Sequence, residues 1–107
     1  MMVVTTETIP GRRIVRSLGL VRGNTVRARH VGRDIQAMLR NIVGGEVFEY
    51  TKMLAEAREQ AIDRMVEEAR ELGADAILAV RFITAELMAG AAELMCYGTA
   101  VVTEESD

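Results

Sequence analysis

Apolar positions along this chain change their spacing twice, and the changes mark its elements. Across residues 33–43, Ile35, Met38, Leu39, Ile42 and Val43 fall at i, i+3, i+4, i+7 and i+8, which predicts a helix with one buried stripe. Asp34 in its first turn and Arg40 near its last suit the helix dipole, and Gly44 stands where a left-handed stop is expected. A longer stripe, Tyr50, Leu54, Ala57, Ala61, Met65, Ala69 and Leu72, predicts a second helix over 50–72, widened by Met53, Ile62 and Val66. Gly73 is expected to cap it. Three alanines at the centre of its buried face let a neighbouring element come close.

On either side of the helices the spacing is nearer two. Residues 2–6 are β-branched and short, which predicts a strand, and Thr8-Ile9-Pro10-Gly11 reads as a turn. Residues 12–21 alternate in part, with Ile14, Leu18 and Leu20 on one side and Arg13, Val15 and Ser17 on the other. Gly23-Asn24 is a two-residue hairpin signal, so residues 25–31 are expected to pair back as a third strand with Val26, Ala28 and His30 on one face. After the long helix, residues 76–87 predict a strand that is apolar on both faces at its start, and such a strand is buried on both faces. Residues 92–103 return from a turn at 88–91. One face of that strand holds Leu94, Cys96, Gly98, Ala100 and Val102, suited to the alanines of the helix. The expected order is β-β-β-α-α-β-β, an α+β fold in a single domain over 1–107.

Composition changes this picture by pointing outward. Half of the 107 residues are hydrophobic, but aromatics make up 4% and tryptophan is absent, so small side chains must fill the core. Each buries less area, at roughly 25 cal/mol per Å², and a small domain gains by burying more surface in a neighbouring subunit. Charge is divided: residues 1–43 hold eight arginines against Glu7 and Asp34, net +6, and the remainder carries −9. This division favours complementary contacts within and between subunits over nucleic-acid binding, because the basic half has none of the four aromatics that single-strand binding would use. The lone Cys96 excludes an internal disulfide and suits a reducing compartment. No secretory signal is visible, and the apolar runs are too short to span a bilayer, so a soluble cytoplasmic protein with no membrane partner is expected.

Several separated motifs carry a resemblance: Arg40-Asn41-Ile42-Val43 before Gly44-Gly45-Glu46, Tyr50, Glu56-Ala57-Arg58, Leu72-Gly73-Ala74-Asp75-Ala76, Tyr97-Gly98-Thr99-Ala100-Val101, and Thr5-Thr6. With these the sequence resembles the YbjQ-like family over nearly its whole length. The resemblance implies a dodecin-subunit-like fold, antiparallel strands packed on two helices, assembled as an oligomeric ring that is typically a pentamer. The family has no settled biochemical role and often bears a heavy-metal-binding label.

That label makes metal the first chemistry to weigh. Zinc and soft-metal sites gather three or four thiolates or imidazoles; this chain has one Cys, one His and no CxxC, HxH or HxxxH. His30 and Cys96 are therefore weak candidates for a divalent or heavy-metal ion, and both sit on predicted apolar strand faces. Met38, Met53 and Met65 follow helical spacing and read as core. The second constellation is Glu46, Glu49, Tyr50 and Arg58. Arg58 borders the apolar stripe, where a guanidinium costs desolvation unless a carboxylate pairs with it. The group reads either as a brace of the interhelix turn or as a pocket for a small anionic ligand between subunits. There is no GxSxG, P-loop or GxGxxG, so no enzyme is expected. The sequence thus points to a homo-oligomeric binding module, or else to a scaffold that holds no ligand.

Overall fold

The computed structural model describes residues 1–28, 46–88 and 91–106, with side chains left undescribed at 28, 46–51, 87 and 88. Strand β1 (Met2–Val3) is followed by β2 (Arg12–Ala28), helix α1 (Glu46–Glu71), β3 (Ala76–Met88) and β4 (Ala91–Glu105). They form one mixed sheet in the order β1-β3-β4-β2, with β1 parallel to β3 and the other pairs antiparallel.

This corrects the expected architecture. A dodecin-subunit-like set of antiparallel strands on two helices is replaced, among the described residues, by a β-β-α-β-β order with a single helix on a mixed sheet. The helix expected over 33–43 and the stop at Gly44 lie outside the described residues. The hairpin at Gly23-Asn24 does not form, since β2 runs straight through it for 17 residues. At about 3.3 Å per residue that strand spans about 56 Å, nearly the whole 58 Å length of a molecule only 24 by 16 Å across.

Gly23 is needed because α1 crosses β2 there. A Cβ at this position would run into the Ala61 carbonyl and stand 2.5 Å from the Met65 amide nitrogen. Glycine inside a strand marks either a turn or a close approach of another backbone, and here it is the second. Around the crossing, the buried Thr25 hydroxyl donates to the Ala57 carbonyl at 3.3 Å. Arg64 Nη1 donates to the Asn24 carbonyl at 2.6 Å. Ala57, Ala61 and Ala69 are buried as their spacing predicts, and Ala61, Met65 and Ala69 share a core with Val21, Ile77, Leu94, Cys96 and Ala100.

Partial alternation in 12–21 has its cause in two bulges, between Ile14 and Arg16 and between Ser17 and Gly19, the latter at φ +97°. The second puts Leu18 against the helix-side core and leaves Leu20 on the opposite face, although the sequence had placed them together. A third bulge lies between Leu78 and Arg81, with Ala79 at φ +55°. Gly98 makes room for it, because a Cβ there would meet Ile77 Cγ2 at 2.7 Å and the Leu78 carbonyl at 2.8 Å.

Start and end signals fare better. Pro10-Gly11 turns the chain with the Arg12 amide donating to the Ile9 carbonyl at 3.0 Å and Gly11 at φ +84°, the geometry of a type II turn. Gly73, at φ +87°, closes α1 in a Schellman motif: its amide donates to Arg70 O at 2.9 Å and the Ala74 amide to Ala69 O at 3.0 Å. Helix α1 itself starts at Glu46, one turn before the expected Tyr50. The start of β3 is buried on both faces as expected, with Ile77 in the helix-side core and Ala76 and Leu78 on the other side. That other side is covered by the chain's own Met2, Val4 and Ile9. Among the described residues no helix is long and apolar enough to cross a membrane.

Candidate functional site

Beyond the Gly23 crossing, α1 and the far ends of the strands enclose a cleft of about 270 Å³. Met53, Leu54 and Ala57 of the helix and Ala92 and Leu94 of β4 give it an apolar lining, and Arg27, Thr84 and Glu86 supply the polar groups. Strand register explains the arrangement. Gly23, Thr25 and Arg27 alternate onto the helix side of β2, and Arg27 pairs with Ala92, which pairs in turn with Glu86. Two strand spacings of about 4.8 Å therefore separate the backbones of Arg27 and Glu86.

Arg27 is half-buried, and its Nη2 donates to Gln60 Oε1 at 2.6 Å. That partner is a neutral amide. Among the described residues no carboxylate forms an ion pair with Arg27, although Glu56, Glu59 and Asp63 line the shallow groove that Arg27 shares with Gln60 on the outer side of the helix. A guanidinium held in place by packing and one hydrogen bond is suited to accept a carboxylate or phosphate oxygen on its remaining donors. Sequence reasoning passed over Arg27, because the presumed hairpin at Gly23-Asn24 broke the alternation that puts Thr25 and Arg27 beneath the helix.

The residues singled out from sequence are dispersed. Arg58 is exposed on α1, outside the cleft, and forms no ion pair among the described residues. Glu46, Glu49 and Tyr50 belong to the first turns of α1, and their side chains lie outside the described residues, as does His30. Cys96 is fully buried on the helix side of β4, level with Gly23 and Phe82. Burial pushes its thiol above the ordinary value, which favours the neutral form over the thiolate that binds metals. Among the described residues no three His, Cys, Asp or Glu side chains converge as a metal site would require.

Leu72-Gly73-Ala74-Asp75 contributes a second polar cluster, at the opposite end of the sheet. The Thr103 amide donates to both Asp75 oxygens, at 3.0 and 3.2 Å, and its hydroxyl stands 3.2 Å from each. Arg12 Nε donates to Thr103 Oγ1 at 2.7 Å, and Arg12 Nη2 lies 3.8 Å from Asp75. The cluster ties the exit of α1 to the outer ends of β2 and β4, which accounts for it as a brace.

Residues 1–104 match the YbjQ family, whose description is "Putative heavy-metal-binding". The chain belongs to the YbjQ family. Relatives named UPF0145 protein agree along most of both chains. One from Archaeoglobus fulgidus is 61% identical over 100 residues, 94% of this chain and 93% of its own. One from Thermococcus kodakarensis is 59% identical over 106 residues, 99% of this chain and 94% of its own. A crystal structure from Pediococcus pentosaceus, described as a protein of unknown function in the DUF74 family, superposes with a TM-score of 0.69 at 14% identity. It covers 97% of this chain and 98% of its own, a likeness of fold. The YbjQ motif at 72–76 thus includes the Asp75 brace, and Gly98 of the 97–101 motif is the residue that admits the β3 bulge.

Proposed function

We propose that this YbjQ-family protein is a non-enzymatic binding module that works as a cytoplasmic homo-oligomer and holds a small ligand with an apolar body and one anionic group. The observation that carries the reading is Arg27, a half-buried arginine that lines an apolar cleft and is held by a neutral amide beside it rather than by a carboxylate. At about 270 Å³ the cleft lies just below the roughly 300–1,000 Å³ of drug-sized sites, so the ligand is small. The described donors favour an organic anion over a soft metal ion.

Two quantities support assembly. The radius of gyration is 17.7 Å, against about 13 Å for a compact chain of this length. Accessible surface is 7219 Å², about 1,300 Å² more than the scaling for compact monomers of this mass gives. An excess of that size is comparable to what specific interfaces bury. Five subunits is the count that the family resemblance implies.

Hexanoate is a suitable probe of the cleft, with Zn²⁺ and Ni²⁺ titrated in parallel. Hexanoate is expected to raise the melting temperature of the wild type and to leave Arg27→Met, which keeps the apolar stem and loses the charge, unmoved. An equal shift in both proteins, or none in the wild type with micromolar metal binding, would replace this reading with another. A wild-type oligomer that binds neither probe would favour the second reading, a scaffold without a ligand, for which the surface excess also speaks.

A further inference from the structure

The cleft lined by Arg27 carries charge of both signs. Arg27, Ala92 and Glu86 stand in one cross-strand row, Arg27↔Ala92 and Ala92↔Glu86, so all three belong to the helix side of the sheet. All three line the cleft. Ala92, the middle member, offers only a methyl group, which leaves the floor between the two charged residues low and apolar. The next row, Thr25↔Leu94↔Thr84, adds Leu94 and Thr84 to that floor, and Met53, Leu54 and Ala57 of α1 form the wall above it. Because α1 packs mainly over β2 and β4, Arg27 is half-buried at the inner side of the cleft and Glu86 is exposed at its outer side.

Glu86 is not spent on holding the fold. Among the described residues no ion pair includes it, and it is the one carboxylate among those that line the cleft. The nearby acid of β4, Glu93, belongs to the other face of the sheet, where Asn24 Nδ2 donates to it at 3.3 Å. Glu56, Glu59 and Asp63 line the groove on the outer side of the helix, which Glu86 does not share.

Resting on the reading of this cleft as an anion site, we propose that its ligand is a zwitterion of the ω-amino acid class. Its anionic group pairs with Arg27, its aliphatic chain lies over Ala92 and Leu94, and its ammonium group pairs with Glu86. Separation sets the class. The backbones of Arg27 and Glu86 are two strand spacings, about 9.6 Å, apart, so an α-amino acid, with both charges close to one carbon, is too short to engage both residues. An amine at the far end of an aliphatic chain spans the gap and keeps methylenes on the apolar floor. Glu86 also selects against a plain carboxylate, which has to pass it as a like charge.

Titration calorimetry on the intact protein, with hexanoate and ε-aminohexanoate as probes, tests this. The ratio of the two affinities is the readout, because a general change in the cleft cancels from it. The wild type should bind ε-aminohexanoate about fivefold more tightly than hexanoate, the upper end for a charge pair open to water. In Glu86→Gln that preference should vanish, and in Glu86→Lys hexanoate should become the tighter ligand. Circular dichroism checks that each variant is folded, and Glu86→Ala replaces either that is not. Equal affinities in the wild type, or a preference for the amine-bearing probe that survives in Glu86→Gln, would overturn the zwitterion and leave the Arg27 site in place. A wild type that binds neither probe would overturn the Arg27 reading and this inference with it.

Discussion

Single atoms decide this fold at the places where backbones meet. Gly23 is the sharpest case, since a Cβ would press on the Ala61 carbonyl and Met65 amide of a helix that cannot retreat without unpacking its alanine face. Gly23→Ala is expected to destabilise the protein by about 1–3 kcal/mol or more, the range for overpacking a close-packed interior. Urea denaturation would measure it, and an unchanged midpoint would mean that α1 rides higher on the sheet than described. The Asp75 cluster works by a softer rule. Its carboxylate is 41% exposed at the side chain, so water shares the interaction with Arg12, and the Thr103 hydrogen bonds matter more than the charge. Arg27 and Arg58 show why exposure has to be known before a role is assigned. The spacing that put Arg58 beside the apolar stripe left it free in water, and the side chain with the demanding environment was on a strand.

Elements were legible wherever local chemistry settles them. The 3.6-residue spacing over 54–69 and the Gly73 stop gave α1 nearly whole, and Gly73→Ala tests that stop directly. A left-handed φ of +87° costs a side chain about 1 kcal/mol or more. The variant should melt several degrees lower, since 1 kcal/mol moves a domain of this size by about 4–8 °C, and Gly73→Asn should fall less. Pro10-Gly11 and the antiparallel pairing of β3 with β4 were readable for the same local reason, and residues 89–90 of the expected turn lie outside the described residues. What stayed hidden depends on partners far along the chain. A glycine inside a strand has the same letter whether it turns the backbone or yields to a helix, so Gly23 was read as a hairpin and one strand became two. A bulge erases alternation without announcing which residue is extra, so Leu18 and Leu20 were given a common face. Parallel pairing of β1 with β3 joins residues more than seventy apart, and nothing near Met2 encodes it.

At the scale of the molecule the governing fact is shape. The described part, one helix on a sheet nearly 60 Å long, has little interior for its surface, and the cleft sits at the end of that sheet away from Asp75. If assembly supplies the missing burial, stability must depend on concentration. The wild-type melting temperature should rise as protein concentration is raised a hundredfold; scanning calorimetry at two concentrations decides it, and one unchanged temperature would speak against assembly. The β2–β4 ladder carries a further consequence, for synthesis. Arg12 is registered with Glu105, so the second strand leaves the ribosome early and finds its partner only when β4 has emerged. During that interval the helix can form and the strand cannot be paired. Such long-range closure is slow, and the apolar side chains of β2 are open to other nascent chains until it is done. Folding of this protein is thus a race between β4 and neighbouring chains for the open side of β2.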